Sequence, residues 1–277
     1  MPAPRAEGQH FFKMTGSGND FVVFDSTGGA AAHLENPETI RAISGRGTGV
    51  GADGVVFLER VGEGDVRMRY YNSDGSEADL CGNASLCSTR LATELGLAQA
   101  GGFVLHTTSG PLKARIRDNL PEVDLQPVRE VRADATELGA KPGERRLGFA
   151  RVGVPHVVVE VGELEAADVT GRGQELRHHP ALADGANVDF VGRRPDGSFG
   201  YRTFERGVEG ETLACGTGAV AAAIMLADWG ESGTETVLWT RSSLPLTVSL
   251  DRDGGAWLPS LRGEGRVVFE GRIRDLD

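Results

Sequence analysis

Cysteine is scarce in this chain of 277 residues, with only Cys81, Cys87 and Cys215 present. Three thiols are too few for a disulfide framework. An odd count behind a start, MPAPRAEGQHFFK, that holds no apolar signal region leads us to expect reduced thiols and a cytoplasmic location. Metal-ligand spacing is missing too: Cys81 and Cys87 stand six apart, and the adjacent His178 and His179 precede Pro180 as in a surface loop. No metal is therefore expected. Lysine is as rare as cysteine. Lys13 precedes a Gly-rich loop, Lys113 lies in a charged strand and Lys141 in a polar linker, so none suits a Schiff base with pyridoxal phosphate. No run approaches the roughly 20 apolar residues needed to cross a bilayer. Nor is there a basic excess: the net charge of −11 disfavours nucleic acid as a partner. GVGADG (49–54) fits the dinucleotide fingerprint in letters alone, since it precedes the strand VVFL rather than linking a strand to a helix.

What the chain does have is a duplication. Hydrophobic content of 39% and charged content of 25% are those of a soluble globular protein, long enough for one large domain or two ordinary ones. VVFLERVGEGDVRMRYYN (55–72) and VDFVGRRPDGSFGYRTFE (188–205) align without a gap at an offset of 133, each reading strand, Gly/Asp turn, strand. Cys81 and Cys215 follow at an offset of 134, and a third echo pairs NDFVVFD (19–25) with PHVVVEV (155–161). After each of these cysteines comes an Ala- and Leu-rich helical stretch, 84–96 and 218–230, ending on a glycine suited to a C-cap. The expected fold is α/β (α+β): two pseudosymmetric domains, each a curved mixed sheet or barrel around a central helix. We place the first domain at 1–125 and the second at 126–263, with a polar stretch between them.

Two cysteines at repeat-equivalent helix starts suggest chemistry. Free amides and the positive end of a helix are expected to lower a thiol pKa below about 8.5 and to hold a carboxylate. If the halves face each other, one thiolate could take a proton from a carbon while the opposite thiol returns one to the other face. Stereochemistry at that carbon would invert. A buried cysteine is commonly just a small apolar side chain, and Cys87, inside its helix, is read that way. A two-thiol redox or binding protein is a further reading, but redox pairs usually sit close in sequence, as in C-x-x-C.

The stretches KMTGSGNDFVV (13–23), RGTGVGADGVV (46–56), YNSDGSEADLCGNASLC (71–87), GVPHVVVEV (153–161), GANVDFV (185–191) and ERGVEGETLACGTGAVA (205–221) together resemble the diaminopimelate epimerase family, in family order across nearly the whole chain. The resemblance implies that the C-terminal strand, within 264–277, returns to the first domain. It implies a homodimer and an epimerase without cofactor, converting L,L-diaminopimelate to the meso form in lysine and peptidoglycan precursor synthesis. Cys81 and Cys215 would be the acid–base pair, Cys215 accepting the α-proton in that direction and Cys81 donating one. His156 and Glu205 match thiol-tuning positions. Asn19, Asn72, Asn187, Glu205 and Arg206 match substrate contacts, with Gly82-Asn83 and Gly216-Thr217 beside the thiols. Such groups suit an amino acid: Arg206 offers a fork for a carboxylate, and backbone amides can hold growing enolate-like charge. The chain departs from the family pattern at Thr15, Gly54, Ala84, Val154 and Ser242-Ser243. Val154 replaces an amide that can touch the distal end of the substrate. A racemase of the same fold acting on histidine or a proline derivative is the alternative reading.

Overall fold

Alternating apolar residues and Gly-rich turns make this a chain of short strands, and contacts gather them into two units. The computed structural model describes residues 8–78 and 80–274. One unit comprises residues 8–123 with 264–274, and the other comprises 124–263. The first contains β1 (Gln9–Gly16), β2 (Asn19–Asp25), α1 (Pro37–Ser44), β3 (Gly54–Val61), β4 (Asp65–Asn72), α2 (Gly82–Glu94), β5 (Phe103–Thr107), β6 (Gly110–Arg117) and most of β7 (Leu120–Asp124). The second contains β8 (Val131–Arg132), β9 (Glu144–Val152), β10 (Val154–Val161), α3 (Val169–Arg177), β11 (Asn187–Arg193), β12 (Phe199–Glu205) and β13 (Gly210–Thr212). It continues with α4 (Gly216–Asp228), β14 (Glu235–Trp239), β15 (Pro245–Asp253) and β16 (Ala256–Gly263). Finally β17 (Arg266–Ile273) pairs antiparallel with β1 of the first unit.

Strand pairing repeats between the units. In the first, β1–β2, β3–β4 and β5–β6 are antiparallel, while β2–β3 and β4–β5 are parallel. In the second, β9–β10, β11–β12 and β14–β15 are antiparallel, while β10–β11 and β12–β14 are parallel. The registers agree in detail: Val55 faces Tyr71 as Val188 faces Phe204, and Val66 faces Leu105 as Phe199 faces Leu238. Each of these pairs keeps the 133-residue offset seen in the sequence. The third echo is displaced by one residue, however. Phe21 pairs with Gly54, and His156 pairs with Asn187, 133 residues beyond Gly54. His156 is therefore the counterpart of Phe21, not of Asp20. In a strand of period two this single step changes which face a side chain occupies.

The strands of each unit are covered on both faces. On one side of the first unit, Val22, Phe24, Val55 and Phe57 pack with Ile40 and Ile43 of α1. In the second unit, Val157, Val159, Val188, Phe190 and Phe204 pack with Leu176 of α3. The other faces meet the longer helices: α2 lies against β1–β4, β6 and β17, and α4 against β9–β12 and β14–β16. Burial all round from Gly218 to Leu226 explains why that stretch of α4 is apolar. Both helices run 13 residues and end alike. Gly96 and Gly230 adopt φ of 68° and 74°, and the amides of Gly96, Leu97, Gly230 and Glu231 close the last turns onto Thr93, Ala92, Ala227 and Leu226. These are Schellman caps, which glycine permits because it lacks a Cβ. No helix among the described residues is long and apolar enough to cross a membrane.

Candidate active site

Both cysteines singled out by the repeat are N-caps. Cys81 (φ −130°, ψ 117°) begins α2, and Cys215 (φ −132°, ψ 115°) begins α4. Extended backbone at these residues sets each thiol where the first helical amides, which lack acceptors within the helix, converge. The Cys81 sulfur accepts from the Ala84 amide at 3.5 Å, and the Cys215 sulfur lies 3.4 Å from Thr217 Oγ1. Gly82 and Gly216 are the first helical residues, with Asn83 and Thr217 next. All three cysteines are thiols. Cys87, sealed inside α2, keeps its structural reading; Gly16 passes so close that a Cβ there would lie 3.0 Å from its sulfur.

In the first unit a polar chain anchors the start of α2. The Asn83 amide donates to Asn19 Oδ1 at 2.5 Å, and Asn19 Nδ2 donates to Asp53 Oδ2 at 3.1 Å. Arg46 then bridges Asp53 and Asp20, and Lys13, only 8% exposed, is held by Asp20 at 2.6 Å and by the Gly51 carbonyl. Burial pushes the Asp20 carboxyl up, but hydrogen bonds and charge from Arg46 and Lys13 win and hold it below the usual range. Asn83 Oδ1 is buried with no hydrogen-bond partner among the described residues, a spare acceptor beside Cys81. Asn72 donates to Ser76 Oγ at 3.0 Å and so caps its own turn.

The second unit builds its half differently. Asn187 Oδ1 accepts from the Arg206 amide at 2.8 Å, and the Arg206 guanidinium donates to the Asp184 carbonyl at 3.0 Å. Glu205 accepts from the Thr212 hydroxyl. His156 is fully buried, its Nδ1 2.8 Å from Asp189 Oδ2, while its Nε2 lies 3.5 Å from Asn187 Nδ2. Tyr201 clamps the peptide of Cys215: its hydroxyl donates to the Cys215 carbonyl at 2.7 Å and accepts from the Cys215 amide at 3.0 Å.

The electrostatics of Cys215 reverse the expectation from helix position. Burial pushes its thiol well above the ordinary range, and the charges of Glu205 and Asp189 push the same way; the Thr217 hydroxyl and Gly218 amide pull down but do not prevail. Once ionised, such a thiol is a strong base. Sequence reasoning singled out His156 and Glu205 and passed over Asp189, Thr203 and Tyr201. A signal existed: Asp189 is a lone carboxylate within the otherwise apolar stretch VDFV.

Three departures from the family pattern have local explanations or surroundings. Gly54 sits under Tyr70, whose ring carbon would lie 2.5 Å from any Cβ there, so a longer residue cannot enter without moving Tyr70. Ser243 has φ of 63°, the left-handed region where glycine is favoured. Val154 opens β10 two residues before His156, half-buried opposite Val152.

Comparison with known proteins gives a consistent result. The family model described as diaminopimelate epimerase matches residues 11–131 and again 148–266, one stretch in each half of the chain. A diaminopimelate epimerase of Gemmatimonas aurantiaca is 51% identical over 276 residues, covering 96% of this chain and 99% of that protein. The Aquifex aeolicus and Archaeoglobus fulgidus enzymes of that name are 36% and 37% identical, covering 96% and 95% of this chain and 98% and 96% of theirs. Among solved structures, a Bacillus anthracis phenazine biosynthesis protein of the PhzF family superposes with a TM-score of 0.75 at 16% identity, covering 96% of this chain and 99% of that one. A hydroxyproline epimerase from Agrobacterium vitis, with bound trans-4-hydroxy-L-proline, gives 0.65 at 21% identity, covering 98% and 94%. At those identities the structural matches speak for the fold alone.

Proposed function

Because this chain belongs to the diaminopimelate epimerase family, we propose that it converts L,L-diaminopimelate to the meso form, a step toward lysine and peptidoglycan precursors. The observation that carries the reading is the repeated helix start: a cysteine N-cap followed by glycine, once in each unit, on matching strand registers. Inversion at an α-carbon needs one group to remove the proton and another to supply one to the opposite face. We assign removal from the L,L isomer to Cys215 and delivery to Cys81. The amides of Gly82-Asn83 and Gly216-Thr217 would hold the reacting carboxylate and stabilise enolate-like charge as it grows. Asn19, Asn72, Asn187, Glu205 and Arg206 are proposed as substrate contacts, and His156 and Glu205 as groups that tune the thiols. In this scheme the residues supply both acid and base, so neither metal nor organic cofactor has a role.

We further propose a cytoplasmic homodimer, in line with the family resemblance. Val268 and Phe269 of β17, each about half exposed, give it an apolar surface to cover.

Incubation in deuterium oxide tests the reaction. L,L-Diaminopimelate is expected to lose its α-proton signal by NMR, while histidine and proline keep theirs. Cys81→Ala and Cys215→Ala are each expected to cut epimerisation by at least about 100-fold, the lower end of the range for loss of a general acid or base. Turnover of histidine or proline instead of diaminopimelate would replace the substrate assignment. Unchanged epimerisation in either variant would remove that cysteine from its role.

A further inference from the structure

The thiols at the two helix starts rest on different foundations. In the second unit, Val157, Val159, Val188, Phe190 and Phe204 face the α3 side. By strand alternation, His156, Asp189, Tyr201 and Thr203 occupy the face turned to α4. His156, Asp189 and Thr203 form one hydrogen-bonded bed, and Tyr201 lies beside it, bonded to the Cys215 peptide. Asp189 Oδ2 takes His156 Nδ1 at 2.8 Å, and Oδ1 accepts from the Thr203 hydroxyl at 2.8 Å, with all three side chains wholly buried. The bed touches the first turn of α4 at Gly218. A Cβ there would stand 2.3 Å from Asp189 Oδ1 and 2.8 Å from the Tyr201 hydroxyl. A carboxylate packed against a helix N-terminus is favourably placed in the helix field.

The register names the corresponding residues of the first unit as Phe21, Val56, Met68 and Tyr70. There Phe21 and Tyr70 stack edge to face at 5.9 Å, and Val56 occupies the place of Asp189. The repeat has thus kept the thiol and the helix while exchanging an apolar bed for an anionic one.

We propose that Asp189 is a positioning residue for Cys215: its buried carboxylate seats the first turn of α4, fixes the His156 ring and places a negative charge behind the thiol that removes the α-proton. The hydrogen bonds set the His156 tautomer. Asn187 Oδ1 is engaged by the Arg206 amide, which leaves Nδ2 toward His156 Nε2; Nε2 then accepts, and Nδ1 carries the proton given to Asp189. The titratable groups facing Cys215 are Asp189 from β11 and Glu205 and Tyr201 from β12, with His156 of β10 behind Asp189. Loss of the Asp189 charge should make the Cys215 thiol easier to ionise and the thiolate a weaker base.

The inference rests on Cys215 acting in the epimerisation, and the experiment separates the two. Alkylation of each cysteine by iodoacetamide is followed against pH by peptide mass spectrometry in the wild type, Asp189→Asn and Asp189→Val, the last copying the first unit. In both variants the Cys215 midpoint is expected to fall by about one pH unit, the effect of losing one nearby like charge, while the Cys81 midpoint stays put. The epimerisation kcat should fall at least about tenfold with KM little changed, since a Brønsted base weakened by a pH unit and a misplaced helix turn both act on the chemical step. A Cys215 midpoint unmoved in variants with wild-type circular dichroism, or equal movement of both midpoints, overturns the proposal. Nitrogen-15 NMR of His156 in the wild type needs no variant: Nδ1 is expected to carry a proton toward Asp189, and a proton on Nε2 with Nδ1 bare overturns it. If Cys215→Ala still exchanges the α-proton, the reading of the site has failed. If that variant is inactive and Asp189→Asn behaves as wild type, only the role of Asp189 is lost.

Discussion

At the scale of single residues, the chain spends glycine where contact leaves no alternative. Gly218 lies against both Asp189 and Tyr201, so Gly218→Ala must displace a buried carboxylate or the helix itself. We expect a loss of about 1–3 kcal/mol in urea unfolding, as for other overpacked sites, and a larger loss of turnover than of substrate affinity. Ser243 shows the opposite economy. It holds φ of 63° in a turn closed by its amide onto the Thr240 carbonyl, and Ser243→Gly is expected to raise stability by up to about 1 kcal/mol, read as a higher melting temperature. Legibility at this scale was uneven. Cysteine is rare enough for two matched copies to stand out, and the glycines after them completed the pattern. The direction of the Cys215 shift was not legible, because it depends on burial and on Glu205 and Asp189, which only folding brings near. Asp189 stood out only as a lone carboxylate among apolar neighbours, and Thr203 and Tyr201 look like ordinary strand residues until alternation is combined with the knowledge of which face meets α4.

At the scale of elements, the repeat was legible because strands and helices keep their spacing while side chains drift. Offsets of 133 and 134 residues reappear as strand registers and as two 13-residue helices with the same Schellman ends. The match of β2 to β10 as repeat equivalents was off by one residue. Both stretches are runs of buried apolar side chains, NDFVVFD and VPHVVVEV, and such runs lack the alternation that marks a register. The same elements contain a test of how the first unit holds its site. Lys13 of β1 is nearly buried against Asp20 of β2, and Asp20 also takes Arg46. Asp20→Asn would strand the Lys13 ammonium, and we expect it to cost about 3 kcal/mol in unfolding free energy. The sign of the shift sets a pH window as well. A carboxyl held below its unfolded value adds stability above pH about 3.9 and loses that stability as pH falls through its folded value, so the variant should lack this part of the acid transition.

At the scale of the whole molecule, the buried acids dictate an alkaline limit. Burial, then the charges of Cys81 and Glu264, push the Cys87 thiol far up, and burial first of all does the same to Cys215 and Tyr201. A group whose pKa is raised on folding keeps its proton in the folded state, so its contribution is complete below the unfolded value and is lost as pH rises toward the folded one. For the thiols that loss begins near pH about 8.5, and each costs about 1.4 kcal/mol per pH unit beyond it. Urea unfolding measured from pH 8 to 10.5 (a range chosen about the unfolded thiol value) should show falling stability, and Cys87→Ala should make the fall shallower by about 1.4 kcal/mol per unit. A slope identical in that variant would mean Cys87 ionises in the folded protein without penalty.

β17 joins β1 from the far end of the chain, whereas residues 124–263 are continuous. On the ribosome, the later-made half can therefore close around α4 while the earlier-made half still waits with one side of β1 unzipped. Synthesis order and completion order are inverted, and the nascent polypeptide must keep that open edge from strangers until its last strand emerges.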